Sequence, residues 1–121
     1  MNATINTLWA ATLNTVRGFR YGITLERAVR QETIVFVIAL PLGATIAPSI
    51  GWYVAMIGAL IGTLAVELLN TAIEKLADRV TRDHDPAIGM VKDFGSAAVF
   101  CMLCAAALIW GAALAVRFHW F

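Results

Sequence analysis

The segment running Glu67-Leu68-Leu69-Asn70-Thr71-Ala72-Ile73-Glu74-Lys75-Leu76-Ala77-Asp78 carries the strongest chemical signal in the chain. Glu67, Asn70, Glu74 and Asp78 recur at i, i+3, i+7 and i+11, which puts all four on one narrow stripe of a helix. Leu68, Leu69, Ile73 and Leu76 fall elsewhere around the same helix. A carboxylate stripe that begins inside an apolar segment is expensive, so it argues for a functional site. The four positions also differ in depth. Glu67 lies about 15 residues beyond Trp52, roughly 22 Å along a helix, where a hydroxyl near the lipid headgroups could meet it. Partial desolvation there suits a general base. Glu74, closer to water, suits Mg²⁺, which takes one or two carboxylates together with substrate phosphates. Asn70 between them could orient either group. Against this stands a plainer role: Glu67 and Asn70 as interhelical hydrogen-bonding groups, Glu74 and Asp78 as a solvated helix end.

Two further clusters could complete such a site. In Lys92-Asp93-Phe94-Gly95-Ser96, Lys92 and Ser96 stand i, i+4 on one helical face. Lys92 could neutralise phosphate oxygens as charge develops during phosphoryl transfer, with Ser96 against a lipid polar group; a lysine snorkelling at a membrane helix start is the alternative. In Glu26-Arg27-Ala28-Val29-Arg30-Gln31-Glu32, Glu26 and Arg30 form an i, i+4 pair, and Glu26 or Glu32 could supply a second metal ligand. A surface salt bridge is the default reading of that pair. Other candidates carry less. Cys101 and Cys104 form a CxxC inside an apolar stretch and read as buried small hydrophobes. His84 and His119 are isolated. No GxxxxGK[ST] pattern occurs, so a nucleotide site would be built without a phosphate-cradling loop.

The elements that must position these residues are membrane helices. The 121 residues are 60% hydrophobic and 14% charged, with a mean hydropathy of +0.77; a soluble domain is nearer half apolar and a quarter charged. The length allows one domain, 1–121. Residues 33–66 and 94–116 contain no Asp, Glu, Lys or Arg. The first of these stretches would reach about 50 Å as one helix, too long for a hydrocarbon core about 30 Å thick. Pro48, Ser49, Ile50 and Gly51 supply a break, with Trp52 and Tyr53 where interfacial aromatics belong. The pattern therefore predicts an all-α membrane protein with spans at about 33–49, 52–73 and 94–117. Span one carries Pro41 and Pro48, which membrane helices tolerate.

Residues of about 5–25 read as an amphipathic interfacial helix instead. Ile5, Leu8, Trp9, Thr12, Val16, Phe19 and Ile23 mark one face, and Arg17 and Arg20 can reach anionic headgroups. Span two is expected to emerge as a helix end near residue 80, followed by the loop Thr81-Arg82-Asp83-His84-Asp85. Asp85-Pro86 reads as the N-cap and first position of the next helix. Trp120 and Phe121 close the outer end as an aromatic anchor. Gly58 and Gly62 on span two, and Gly111 with Ala115 on span three, offer close helix interfaces.

Eight of the nine basic residues precede span one or lie between spans two and three, and only Arg117 lies at the far end. The positive-inside rule makes that basic side, and the N-terminus, cytoplasmic. The N-terminal apolar residues are interrupted by polar ones and follow no basic segment, so they do not read as a cleavable signal peptide. A net charge of +1 with no basic stripe argues against a nucleic-acid partner.

Taken together, Glu26-to-Glu32 (ERAVRQE), Val66-to-Asp78 (VELLNTAIEKLAD) and Val91-to-Val99 (VKDFGSAAV) resemble the bacterial membrane diacylglycerol kinase family, which includes undecaprenol kinases. The resemblance covers essentially the whole chain; the VELLNTAIE and KDFGSAAV segments are its specific part. It implies a homotrimer of three-span protomers in the bacterial cytoplasmic membrane, with interfacial N-terminal helices and active sites shared between protomers. It also implies Glu67 as catalytic base, Glu26 and Glu74 as ligands of the Mg²⁺ that accompanies ATP, and Lys92 on ATP phosphates with Asp93 nearby. Asn70 and Asp78 would support the site, and Asp83, His84 and Asp85 would lie against the nucleotide. Arg30, Gln31, Glu32, Ser96 and Trp110 would line or brace the lipid site. The chain departs from the family pattern at Val29, where a phenylalanine is common, and in the nucleotide loop. Thr7 and Asn14 stand where some relatives carry an arginine and a tyrosine near the nucleotide.

The expectation is thus transfer of the ATP γ-phosphate to a membrane lipid hydroxyl, diacylglycerol ahead of undecaprenol on the GSAAV segment. A different class, a small transporter or proton channel titrating at Glu67, meets the difficulty that no ionisable residue continues outward until Arg117. A non-catalytic assembly subunit is the blandest alternative.

Overall fold

The computed structural model describes residues 2–120. Four helices follow one another: α1 (Asn2–Leu25), α2 (Arg27–Ile46), α3 (Ile50–Val80) and α4 (Pro86–Arg117). The last three are long and apolar enough to cross a membrane.

The helix ends follow from local chemistry. A residue before proline avoids the helical region, and Ala47, ahead of Pro48, has ψ 127°. That ends α2 at Ile46, short of the expected 49. Ser49 then caps α3, its side chain accepting from the Trp52 amide at 3.4 Å. The carboxylate of Asp85 accepts from the amides of Ala87 and Ile88 at 2.8 and 3.2 Å, with Pro86 opening α4. This is the cap expected from the sequence. At the far end the Trp120 amide donates to Ala115 O and the His119 amide to Val116 O. These two bonds make a Schellman ending, with His119 at φ 55° in the position that usually falls to glycine. Trp120 is exposed there; Phe121, the other half of the expected anchor, lies outside the described residues. Pro41 stands inside α2 without ending it.

α3 is the central element. It packs most extensively on α4 and next on α2, while α1 packs mainly on α2. The buried residues are mostly small: Ala39, Ala59, Ala77, Ala106, Ala113 and Ala115 join Val29, Met56, Ile57 and Leu64. Lipid tails are as apolar as leucine, so membrane helices associate by close packing and interhelical hydrogen bonds. Both occur here. The Trp110 indole N–H donates to Met56 O at 3.1 Å, and the Tyr53 hydroxyl donates to Leu40 O at 3.2 Å.

The closest approaches lie where two glycines face neighbouring helices. A Cβ on Gly22 would come within 2.7 Å of Val29 Cγ1 and 3.1 Å of Leu68 Cδ2, so this glycine lets α1 fold back tightly at the Glu26 elbow. A Cβ on Gly95 would overlap the Asn70 side-chain oxygen, so α4 can approach α3 there only without a side chain. The GxxxG pair expected to bring helices together does not do so within one chain. Gly58 and Gly111 have no neighbouring heavy atom within 4 Å, and Gly62 meets only the flexible end of Met102. Cys101 and Cys104 correct another expectation: both are exposed on the outer face of α4, because the inward face runs through Gly95, Ala106 and Ala113.

Two consequences are measurable in mixed micelles by equilibrium unfolding. Trp110→Phe should lower stability by about 1 kcal/mol through loss of one interhelical hydrogen bond; an unchanged midpoint would remove that bond from the account. Gly95→Ala should cost about 1–3 kcal/mol by overpacking, and adding Asn70→Ala should recover most of that loss. Purely additive losses would mean that the two residues do not share the contact.

Candidate functional site

The carboxylates gather at the end of the bundle where α3 extends past the apolar spans, against the elbow between α1 and α2. The helical period of α3 turns Glu67 and Asn70 inward: both are buried, each 7% exposed. The Asn70 side-chain amide donates to Glu74 Oε1 at 3.2 Å, one helical turn away. Asn70 Oδ1 is buried without a hydrogen-bond partner, pressed into the gap that Gly95 leaves. One asparagine thus sets the rotamer of Glu74, fills the α3–α4 crossing and keeps an unused acceptor.

Glu26 reaches the same region from another element. It is not helical: as the cap residue before α2 it has φ −113° and ψ 122°. Its backbone carbonyl accepts from the Arg30 amide, but its side chain turns to α3 and pairs with Lys75, Nζ to Oε1 2.6 Å. The i, i+4 pair expected between Glu26 and Arg30 therefore does not form. Arg30 donates instead to Ile23 O at 3.4 Å. Glu67 lies close enough to Glu74 and Glu26 to feel their charges, and Glu32 close enough to feel Glu67. Glu32 Oε2 is a second buried oxygen without a partner.

Two ammonium groups answer this negative field. Lys92 of α4 donates to Asp78 Oδ1 at 2.6 Å, tying the start of α4 to the end of α3 across the loop. That hydrogen bond and the Lys92 charge hold the Asp78 carboxyl below the usual carboxylate range. The Glu26 hydrogen bond and charge hold the Lys75 ammonium above its usual range, with Asp78 and Glu74 adding to the effect. Both groups lie beyond the apolar part of α3.

The predicted residues divide accordingly. Glu26, Glu32, Glu67 and Glu74 lie near one another, with Asn70 bonded to Glu74, while Asp78 and Lys92 form a separate pair about 16 Å along α3 from Glu67. Asp93 and Ser96 are exposed near Lys92, one helical turn or less along α4. Arg30 and Gln31 are exposed on the first turn of α2. Asn14 sits on α1, where its side-chain oxygen accepts from Arg17 at 2.6 Å. In the loop, Thr81 Oγ1 accepts from the Asp83 amide at 3.1 Å, Asp85 is engaged in capping, and His84 is exposed. Trp110 is remote: it bonds Met56, about 16 Å along α3 from Glu67, and lines an apolar groove with Val35, Leu42 and Leu60. Among the described residues no three His, Cys, Asp or Glu side chains converge into a metal cage. An open cleft of about 490 Å³ between α1 and α3 ends at Glu26 and Lys75 and is otherwise mostly apolar, lined by residues such as Phe19, Gly22 and Leu68.

Sequence reasoning had counted Lys75 only among the basic residues that set orientation. Its position next to Glu74 was visible, but its partner Glu26 is distant in sequence and nothing in the spacing pairs them. The role of Gly95 against Asn70 was hidden in the same way.

Comparison with known proteins identifies the family. The model of the family described as prokaryotic diacylglycerol kinase matches residues 13–114. The chain is 36% identical over 104 residues to a diacylglycerol kinase of Pseudomonas aeruginosa, covering 86% of this chain and 85% of that one. It is 32% identical over 104 residues to the Haemophilus influenzae diacylglycerol kinase, covering 86% and 88%. With the diacylglycerol kinase of Escherichia coli strain K12 it shares 31% identity over 94 residues, covering 78% and 77%. This chain belongs to the prokaryotic diacylglycerol kinase family.

Proposed function

We propose that the protein transfers the γ-phosphate of ATP to the hydroxyl of diacylglycerol at the cytoplasmic face of the bacterial inner membrane, giving phosphatidic acid and ADP. The observation that carries this reading is the buried Glu67, on one helix face with an Asn70 that orients Glu74, beside the Lys92–Asp78 tie. Relatives named diacylglycerol kinase over most of their length support the substrate.

In this reading Glu67 accepts the proton of the lipid hydroxyl as its oxygen bonds to the γ-phosphorus and the bond to the β–γ bridging oxygen breaks. Burial of Glu67 leaves its carboxylate with few water competitors for that proton. Lys92, freed from Asp78, donates to phosphate oxygens where negative charge accumulates. The residues present suit magnesium. It prefers oxygen ligands and keeps phosphates among them, and Glu26 and Glu74 supply carboxylates from two elements, both near Glu67. Mg²⁺ held by Glu26 and Glu74 would neutralise the charge of the transferring phosphates.

The cleft between α1 and α3 suits the glycerol end of the lipid, since it is apolar along its length and polar at Glu26 and Lys75. We assign Arg30, Gln31, Glu32 and Ser96 to bracing that lipid, Asp93 and the Asp83–Asp85 loop to the nucleotide, and α1 to the membrane surface. The exposed side of the site and the unoccupied small-residue positions Gly58 and Gly111 support a homotrimer with shared sites. Eight basic residues on one side of the spans support an N-terminus in the cytoplasm.

Glu67→Gln and Glu74→Gln should each lower turnover at least a hundredfold, within the range of general acid–base effects. Only Glu74→Gln should also weaken Mg-dependent nucleotide binding; equal binding losses in both would reject the separate roles. Labelled Mg-ATP offered with diacylglycerol and undecaprenol in mixed micelles should label mainly phosphatidic acid. Preferential labelling of undecaprenyl phosphate would change the substrate, and no product from folded protein would reject the kinase reading.

A further inference from the structure

The ammonium of Lys75 occupies the position where the proposed magnesium site needs positive charge. It contacts Glu26 Oε1 at 2.6 Å and is close enough to Glu74 and Asp78 to feel both. Those carboxylates come from two separate elements, the α1–α2 elbow and α3. Without a cation they would repel one another, and Lys75 is the cation that the chain itself supplies. The partners differ in mobility. The Glu26 side chain is 24% exposed at the elbow, whereas that of Lys75 is 65% exposed on a flexible stem. The lysine can therefore swing away into water.

We infer that Lys75 is a placeholder for the divalent cation: it holds Glu26 in position in the metal-free protein and is displaced from it when the metal binds. This rests on the assignment of Glu26 as a metal ligand. The exchange weakens metal binding, because the metal must break an ion pair to enter.

The test is Mn²⁺ binding to the full-length protein in nanodiscs, read from loss of the free-Mn²⁺ paramagnetic resonance signal. Lys75→Met keeps the side-chain length and removes the charge. It should bind Mn²⁺ about two- to fivefold more tightly, the range expected for release from an exposed ion pair. Lys75→Arg should restore binding close to that of the unmodified chain, and Glu26→Gln should weaken it. Equal or weaker binding by Lys75→Met, with Glu26→Gln still weakened, overturns the placeholder role and leaves the metal assignment standing. Unchanged binding by Glu26→Gln overturns both. Tighter binding by Lys75→Arg as well as Lys75→Met overturns the exchange, since charge would not then be the cause.

Discussion

A carboxylate placed as deep as Glu67 is tolerated only if the helices around it are held so that other groups take over the role of water. Three features of the bundle end shape its surroundings. The period of α3 aims Glu67 and Asn70 into the bundle and leaves Glu74 and Asp78 progressively nearer solvent. The missing side chain of Gly95 lets α4 press on Asn70, which fixes the amide that orients Glu74. The missing side chain of Gly22 lets α1 turn back against Val29, and the extended backbone at Glu26 then swings its carboxylate toward α3. Two glycines and one non-helical residue thus shape the contacts of α3 with α1, α4 and the Glu26 elbow.

Local patterns were readable from the sequence, and pairings between helices were not. The stripe from Glu67 to Asp78 follows from the helical repeat alone, and the Asp85-Pro86 start of α4 follows from capping chemistry within three residues. The end of α2 was misplaced by three residues because the break was centred on Pro48, whereas the steric effect of proline acts on Ala47 before it. The Glu26–Arg30 pair failed for a related reason: i, i+4 spacing brings side chains together only when both residues are helical, and Glu26 is extended. Gly58, Gly62, Cys101 and Cys104 were assigned faces from composition. Which face of a membrane helix meets a neighbour depends on the neighbour, and a uniformly apolar helix such as α4 gives little periodic signal to choose by.

The distribution of the remaining site residues has its own logic. Asp93, Ser96 and Gln31 are exposed. Trp110 belongs to a different depth, where its ring covers Gly43 and its N–H finds a backbone carbonyl. Phosphoryl transfer to a lipid rather than to water requires that water be excluded from the reacting hydroxyl. One chain closes that space on the α3–α4 side but leaves the cleft between α1 and α3 open. In the proposed trimer a neighbouring protomer would supply the missing wall. The uncovered small residues Gly58 and Gly111 are where a further helix could approach most closely.

Charge balance links these observations. Glu26 and Asp78 are each held by an ammonium, Lys75 and Lys92, with Arg79 and Arg82 beside Lys75 and Asp78. A nucleotide polyphosphate would bring its own negative charge to these groups. Lys92 and Lys75 cannot answer it without leaving Asp78 and Glu26 unpaired. In the proposed reaction a divalent cation held by Glu26 and Glu74 would take the place of Lys75 on Glu26. In that view the ion pairs of the free protein hold in reserve the charges needed for phosphoryl transfer.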